Sequence, residues 1–258
     1  MQRFDLTGKT AMVTGASSGI GRGIAVALAE CGCSVVVCGR NSDRVQEVVE
    51  ELQKTNASAK HSAVVCDVID MDAMSAALAK IERLDVLVAN AGTTGDQGEV
   101  QDLSIDQWDE VLNTNLRSVF QLAKAAFPLL SKAQPGKLIT VASLASIFGS
   151  VGMPHYSASK HGLVGLTKSL ATAWGKHNIQ CNAIIPGVIA TPMTEAVTEN
   201  KMLTKMMTGR TPAGRLGYAK DIGPVAAFLA SSAADFVTGT TIPIDGGYAI
   251  AMQPNAGL

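Results

Sequence analysis

Tyr156 and Lys160 stand four positions apart, and this pair of side chains could move a proton. If the segment is helical, positions i and i+4 share one face, so the phenol and the ammonium can meet. A free tyrosine titrates near pH ~10, and a fixed positive charge beside it lowers the pKa of the phenol. Such a tyrosine can serve as a general acid or base. Taken alone, the spacing is more typical of a packed ring beside a solvated amine, so its meaning depends on the surrounding sequence.

A glycine-rich loop near the start of the chain predicts a dinucleotide-binding site. Gly15, Gly19 and Gly21 follow the apolar residues 10–14 and open a helical pattern. Glycine lets the backbone approach a pyrophosphate closely, and a helix N-terminus offers free N–H groups with a partial positive charge. The spacing is G-x-x-x-G-x-G rather than the usual G-x-G-x-x-G. A flexible strand–helix turn would explain the glycines alone, whereas the position after the first strand of a doubly wound sheet favours the dinucleotide.

The residues at the end of the second predicted strand indicate whether such a site prefers NAD or NADP. A NAD-selective site places Asp or Glu there, about 20 residues after the glycine loop, to bind the ribose 2′-hydroxyl. Here the strand ends Cys38-Gly39-Arg40, without a carboxylate. Because a guanidinium can pair with the 2′-phosphate of NADP, the sequence favours NADP(H) over NAD(H). The alternative is that Arg40 is a surface residue before a helix capped by Asn41 or Ser42.

Short apolar runs alternate with longer amphipathic runs, which predicts an α/β fold. Predicted strands cover residues 10–14, 34–38, 63–66, 85–89, 137–142, 180–185 and 240–244, and predicted helices cover residues 20–30, 44–53, 71–82, 105–130, 156–175 and 221–230. Most strands lack polar alternation, as expected for parallel strands buried on both faces. Right-handed βαβ units then give an open, doubly wound sheet with helices on both faces. No linker or repeat interrupts the pattern, so we expect one domain over residues 1–258.

Residues 188–215 fit neither the strand period nor the helix period well. A segment this long beside a binding crevice is either a mobile substrate lid or a short helical excursion. Four methionines lie within it. They either fill the core or form an adaptable surface over an apolar substrate. The four are Met193, Met202, Met206 and Met207.

Composition and charge exclude several classes of protein. The net charge of -1 gives no reason to expect nucleic acid or an anionic membrane as partner. No apolar run approaches the ~20 residues of a membrane span, and no signal-peptide core opens the chain, so we expect a cytoplasmic protein. The five cysteines include no C-x-x-C pair and the four histidines are scattered, so we assign no metal and expect free thiols. Cys38 and Cys66 end apolar runs and are expected to be small buried hydrophobes.

Together these residues resemble the short-chain dehydrogenase/reductase family across essentially the whole chain. The motifs occur in the family's order and approximate spacing: the glycine loop, Asn90-Ala91-Gly92, Asn115, Ser143, Tyr156 with Lys160, and Pro186-Gly187. Ala89 replaces the first Asn of the family's usual Asn-Asn-Ala-Gly, a common variant. The resemblance implies a Rossmann fold, mainly a seven-stranded parallel sheet, and a homotetramer formed through two long helices, here 105–130 and 156–175.

The resemblance also implies roles for the four residues that would carry the chemistry. Tyr156 would be the general acid/base at the carbonyl oxygen, and Ser143 would donate to the same oxygen. Lys160 would lower the Tyr156 pKa and hydrogen-bond the nicotinamide ribose, while Asn115 would hold a water that links Lys160 to solvent. The physics agrees, because hydride addition to C=O builds negative charge on oxygen, which needs placed donors and a proton source.

The expected cofactor-binding residues form a larger set. It comprises Gly15, Ser17, Ser18, Gly19, Ile20 and Gly21 in the glycine loop, Arg40 at the 2′-phosphate, Asp67 and Val68 beside the adenine, and, toward the ribose and carboxamide, Asn90, Ala91, Gly92, Tyr156, Lys160, Pro186, Gly187, Val188 and Thr191.

We expect a small carbonyl or alcohol compound as substrate, and several alternatives stay open. The tail resembles a subgroup that oxidises sugar acids, in the segments 210–217, 228–232 and 245–247. For such a substrate Lys201, Lys205 or Arg210 could bind the carboxylate. The tail also resembles 3-oxoacyl-(acyl carrier protein) reductases, which dock an acidic carrier through arginines near the active-site rim. Gln134 and His177 stand at the matching positions, which weakens this alternative, although the nearby Lys132, Lys137 and Lys176 could partly substitute.

Two further alternatives concern the lining of the site and its activity. Phe148, Met153 and the lid methionines would suit an apolar ketone. A catalytically silent NADP-binding scaffold is the alternative of a different class, although such proteins usually lose the Tyr or the Lys of the active set.

Overall fold

The computed structural model describes residues 2–251. Residue 1 and residues 252–258 of the predicted single domain lie outside this described part. Seven parallel strands form one sheet within it, in the order β3-β2-β1-β4-β5-β6-β7. The strands are β1 (Thr10–Thr14), β2 (Ser34–Gly39), β3 (Ser62–Val65), β4 (Val86–Ala89), β5 (Gly136–Val141), β6 (Ile179–Pro186) and β7 (Thr241–Ile244). The predicted fold class is confirmed, and each strand begins and ends within one residue of its predicted bounds.

Helices cover both faces of this sheet. They are α1 (Gly19–Glu30), α2 (Ser42–Thr55), α3 (Met71–Ala79), α4 (Ile105–Leu112), α5 (Ser118–Ala133), α6 (Pro154–Trp174), α7 (Glu195–Glu199), α8 (Lys201–Arg210) and α9 (Ala219–Ala230). Among the described residues, no helix is both long enough and apolar enough to cross a membrane.

Alternate residues of the central strands supply two separate cores, because successive side chains of a strand point to opposite faces. On one face, Val13 and Val88 pack with α1, α2 and α9. On the other face, Met12 and Leu87 pack with α3, α5 and α6. Burial of both faces explains why these strands read as continuous apolar runs in the sequence.

The edge strand β3 departs from the expected burial. Three of its four residues are exposed. Among the described residues, β3 pairs with β2 alone and is therefore an edge of the sheet. Cys66 lies just past its end and is partly exposed, so the expectation of a buried Cys66 was wrong, whereas Cys38 is buried as expected.

The helix predicted over residues 105–130 is interrupted. A π-helical turn, Asn113–Arg117, separates α4 from α5. The amide of Asn115 in this turn bonds to the backbone of Thr93 instead of facing solvent. A single insertion of this kind is frequent where a helix carries a functional side chain.

The segment 188–215 contains α7 and α8, as the alternative of a short helical excursion predicts. Met193, Met202 and Met206 are each more than half exposed. They therefore do not fill the core and instead form an apolar surface on this segment.

Candidate functional site

The glycine loop between β1 and α1 forms a cradle at the carboxyl edge of the sheet. Gly15 and Gly19 have φ values of +63° and +54°, a region that favours glycine. Ser18 precedes α1 in an extended conformation, and within residues 2–251 its side chain makes no capping hydrogen bond. The first N–H groups of α1 therefore remain available to an anion, together with the positive end of the helix dipole.

Neighbouring loops close tightly on this cradle. The Asn90 side chain donates from Nδ2 to the carbonyl oxygens of Thr14 and Gly15, at 2.8 and 3.2 Å. A Cβ on Gly15 would lie 2.9 Å from the Cα of Ala91. A Cβ on Gly19 would lie 3.2 Å from Cγ2 of Thr191. The glycines are needed for these close approaches as well as for the backbone conformation.

Thr14 is a residue of this site that the sequence reasoning missed. Its hydroxyl accepts hydrogen bonds from the backbone N–H groups of Asn90 and Ala91, at 3.0 and 3.1 Å. This contact fixes the end of β4 against the end of β1, where the strand order reverses and dinucleotides bind in open α/β sheets. The only signal in the sequence was a polar residue at the end of an apolar strand.

The second rim of the cleft is formed after β6. Pro186 is the last residue of β6, and the N–H of Gly187 donates to the carbonyl of Ile244 at 3.0 Å. A Cβ on Gly187 would lie 2.7 Å from the Cα of Asp245, so only glycine fits. The following Val188 pairs with Gly217 through the backbone, which holds it at the carboxyl edge of the sheet.

Arg40 lies at the opposite end of the cleft, past β2. Its side chain is 81% exposed, and Nη1 stands 3.6 Å from Oδ2 of Asp67. A carboxylate is therefore near the guanidinium after all, contributed by the end of β3 rather than by the end of β2. An exposed pair at this distance is weak, so Arg40 can turn toward another anion. Val68 beside it is buried, and Ser17 lies within van der Waals reach of Gly39.

Tyr156, Ser143 and Lys160 meet at the carboxyl end of β5. Ser143 follows β5, and Tyr156 lies in the first turn of α6, whose first residue is Pro154. Burial raises the pKa of the Tyr156 phenol, while a hydrogen bond with the Ser143 side chain acts in the opposite direction. The expected lowering of the Tyr156 pKa is therefore outweighed by desolvation, a quantity that the sequence does not reveal.

Lys160 is fully enclosed on the same helix. Its Nζ lies 5.7 Å from the centre of the Tyr156 ring and donates to the carbonyl oxygen of Val141 at 2.9 Å. Burial lowers the pKa of Lys160 to about 8. The ammonium thus carries a proton that can be released near neutral pH, close to the phenol.

Asn115 is buried beside these residues, and its side chain has several partners. Oδ1 accepts from the N–H of Thr93, and Nδ2 donates to the carbonyl of Thr93 and to Oγ of Ser159. Ser159 also donates to the carbonyl of Tyr156 at 2.8 Å. Ser159 and Thr93 are further residues that the sequence reasoning did not select, although Ser159 stands between Tyr156 and Lys160 in the chain.

Gly92 connects this group to the cofactor cradle. A Cβ at Gly92 would lie 3.0 Å from Oδ1 of Asn115 and 3.5 Å from Nζ of Lys160. The structure thus brings the four predicted catalytic residues to one end of the cleft and places Arg40 at the other. An extended dinucleotide fits this arrangement, with its pyrophosphate at the N-terminus of α1.

Comparisons with known proteins agree with this geometry. The family model described as "Enoyl-(Acyl carrier protein) reductase" matches residues 15–249. The chain is 38% identical over 253 residues to a 2-dehydro-3-deoxy-D-gluconate 5-dehydrogenase of Dickeya dadantii, covering 96% of this chain and 98% of the relative. It is 36% identical over 249 residues to a 3-oxoacyl-(acyl-carrier-protein) reductase of Thermotoga maritima, covering 95% and 99%.

A solved structure extends the comparison to a bound cofactor. The gluconate 5-dehydrogenase of Burkholderia cenocepacia, in complex with NADP and tartrate, is 31% identical to this chain. The two superpose with a TM-score of 0.91, over 97% of this chain and 98% of that one.

The enclosed ammonium predicts a pH-dependent stability. The pKa of Lys160 is lower in the folded chain, about 8 against 10.5, so the unfolded chain binds more protons between these pH values. Stability should rise with pH across this window. Relative to Lys160→Met, the wild type should gain about 3 kcal/mol of unfolding free energy from pH 8 to pH 10.5, measured by urea denaturation.

Lys168→Met is the matched control, since Lys168 is exposed on the same helix. The difference in unfolding free energy between Lys168→Met and the wild type should not change with pH. If the difference between Lys160→Met and the wild type is also constant with pH, the lowered pKa of Lys160 is contradicted.

Proposed function

Because the chain belongs to the short-chain dehydrogenase/reductase family and is an oxidoreductase acting on CH–OH groups, we propose that it interconverts a ketone and a secondary alcohol of a sugar acid. In this proposal NADP(H) is preferred over NAD(H). The observation that carries the substrate class is Arg210, a lid guanidinium held between two aromatic rings without an acidic partner among the described residues. Sugar-acid dehydrogenases among the relatives support it.

The proposed chemistry uses residues that the structure brings together. NADP(H), when bound, supplies or accepts the hydride. The Tyr156 hydroxyl would give its proton to the carbonyl oxygen, and Ser143 would donate a hydrogen bond to the same oxygen as negative charge develops there. Lys160 would return a proton toward Tyr156, consistent with a pKa near neutrality. The positive charge of Lys160 would stabilise the phenolate that Tyr156 becomes.

Asn115 would act by positioning and by holding water. Its Nδ2 is fully used by Thr93 and Ser159, so in our proposal an Asn115 oxygen would hold the water that links Lys160 to solvent. The bond to Ser159 also fixes the turn of α6 between Tyr156 and Lys160.

Arg40 supports the cofactor preference. It is exposed and follows the end of β2, and its one ion pair within the described part of the chain is a 3.6 Å contact with Asp67. A 2′-phosphate would offer this guanidinium a doubly charged acceptor, which forms stronger bonds than one carboxylate at this distance.

Arg210 supports a carboxylate substrate. Its guanidinium carbon lies 4.5 Å from the Tyr248 ring centre and 5.5 Å from that of Phe148, which follows the Ser143 segment. An aromatic ring at this distance can contact the flat face of a guanidinium. The N–H groups, which point outward in the plane of the guanidinium, can then still donate to a carboxylate. Lys201 and Lys205, the other lid cations, are exposed on α8 and have no such contact among the described residues.

The second candidate is a 3-oxoacyl-(acyl carrier protein) reductase, favoured by relatives of that name. Gln134 and His177 precede β5 and β6, so within this chain they lie at the sheet edge opposite Tyr156. The expected position at the active-site rim was therefore wrong for a single chain. Lys137 cannot substitute for an arginine in carrier docking, because it is buried and paired with Asp235 at 2.7 Å; Lys132 and Lys176 are exposed.

The apolar-ketone alternative rests on Phe148 and the exposed lid methionines.

A homotetramer through α5 and α6 also stays part of the proposal. It is supported by Phe120, which is half exposed on α5. The silent-scaffold alternative predicts cofactor binding without turnover.

Tyr156→Phe should reduce turnover by about 10²- to 10⁴-fold because it removes the proton donor. Binding of NADPH, followed by its fluorescence, should persist. Tyr218→Phe is the control, since Tyr218 is exposed at the start of α9. Full turnover in Tyr156→Phe would show that another group delivers the proton.

Arg40→Asp should lower the ratio of kcat/KM with NADPH to kcat/KM with NADH by roughly 10- to 100-fold, as expected for one charged hydrogen bond. Steady-state kinetics with both cofactors measures the ratio. Lys60→Asp makes the same charge change at the exposed amino end of β3 and should leave it unaltered. An unaltered ratio in Arg40→Asp would exclude the 2′-phosphate role.

Arg210→Met should raise the KM for 5-ketogluconate by roughly 10- to 100-fold, because the carboxylate loses a charged partner. The KM for NADPH and for an uncharged diketone should stay constant, and Arg210→Lys should recover part of the loss. Lys205→Met, which removes a charge from the same helix, serves as the control. If the diketone is the better substrate and Arg210→Met does not alter the KM for the keto acid, the apolar-ketone alternative replaces this one.

A further inference from the structure

Three sulfur atoms meet at the carboxyl edge of β2 and β3. Sγ of Cys38 lies 3.9 Å from Sγ of Cys66, and Sγ of Cys66 lies 3.0 Å from Sδ of Met74 on α3. Cys38 is buried at the end of β2, whereas Cys66 is partly exposed. The proposed reaction does not use this sulfur cluster, defined by Cys38, Cys66 and Met74.

The strand register explains why the two thiols face each other. Cys38 pairs with Val64 in the ladder between β2 and β3. Cys66 is two residues beyond Val64, so it points to the same face of the sheet as Cys38. Cys38 belongs to the core beneath α3, and the partly buried Cys66 packs against that core.

The cluster adjoins the part of the cleft assigned to the 2′-phosphate and adenine. Arg40 follows Cys38 by two residues, and Asp67 follows Cys66 directly. The N–H of Cys66 donates to the carbonyl of Gly39 at 3.1 Å, which couples the two strand ends. A change in the separation of the two cysteines would therefore move Arg40 and Asp67.

We propose that Cys38 and Cys66 are a modification site at which hydroperoxides form a reversible disulfide that weakens cofactor binding. The Cys66 thiolate attacks the peroxide oxygen, the O–O bond breaks, and the product is a sulfenic acid with release of hydroxide or alkoxide. The Cys38 thiol then attacks the Cys66 sulfur, and its proton and the sulfenic hydroxyl leave as water. Each disulfide consumes one peroxide, which is the oxidant.

The protein environment distinguishes Cys66 from the other cysteines. A hydrogen bond from Cys38 lowers the pKa of Cys66, and the same bond raises that of Cys38. Burial raises the pKa of Cys33 and of Cys181 to about 12. Since the thiolate is the reactive form, Cys66 should react first and Cys38 should resolve the product.

Closure of the bond needs a movement that the edge strand can provide. A disulfide requires the sulfurs at about 2.05 Å, so they must approach by about 2 Å. Cys66 lies past the end of β3, a four-residue strand with a partner on one side only. The displacement would fall on Cys66 and Asp67 rather than on the buried Cys38.

The test treats the complete, reduced protein with hydrogen peroxide and maps its peptides by mass spectrometry. The proposal predicts a Cys38–Cys66 disulfide, with the loss of two hydrogens, that NADPH suppresses and dithiothreitol reverses. The Kd for NADPH, measured by fluorescence, should rise by roughly tenfold, equivalent to the loss of one charged hydrogen bond.

Variants make the assignment specific. Cys66→Ala should bind NADPH normally and keep that affinity after peroxide, and Cys38→Ala should accumulate a trappable sulfenic acid at Cys66. Cys181→Ala, which removes a buried thiol of β6, should respond as the wild type does. The absence of a Cys38–Cys66 linkage, or an unchanged Kd when that linkage is complete, would overturn the proposal. The mapping needs no turnover, so its result is independent of the proposed reaction and substrate.

Discussion

The enclosure of the Lys160 ammonium at the carboxyl end of β5 is the constraint on which the rest of this site depends. A buried amine without compensation is costly, and here the carbonyl of Val141 accepts from it. The Tyr156 ring, Gly92 and the buried Asn115 surround the same space. Desolvation lowers the pKa of Lys160 to about 8 and raises that of Tyr156, so near neutral pH a charged ammonium lies beside a neutral phenol. In such a site the phenol can give up a proton while the ammonium stabilises the phenolate that results.

The carboxyl edge of the sheet carries polar groups at both ends of a cleft long enough for an extended dinucleotide. Thr14 and Asn90 bind β1 to β4 at the reversal of strand order, and the free N–H groups of α1 start there. Arg40 and Asp67 stand at one end of this cleft, and Tyr156 with Lys160 stands at the other. Arg210 on α8 adds a cation that contacts the rings of Phe148 and Tyr248 and has no acidic partner within residues 2–251. In the proposed reaction this one side chain would distinguish a charged substrate from a neutral one.

Much of this was predictable from the sequence, and the limits have physical causes. The strands were predictable because both faces of a parallel sheet demand continuous apolar runs, as in Val35, Val36 and Val37. The π turn at Asn115 was not, because its cause is a bond to Thr93, 22 residues away. The direction of the Tyr156 pKa was missed because burial is a property of the packed chain. Within one chain, Gln134 and His177 lie at the sheet edge opposite Tyr156. This was not predictable, because motif alignment gives the order along the chain and not the edge of the sheet.

The most direct test of the central claim is the fate of the hydride. The protein would be incubated with 5-ketogluconate and NADPH that carries deuterium at the reactive carbon of the nicotinamide, and the product would be examined by NMR and mass spectrometry. The account predicts a sugar acid with one deuterium on the newly formed CH–OH carbon and none elsewhere. A protein that binds the labelled NADPH yet yields no deuterated alcohol from this or from the uncharged diketone would contradict it.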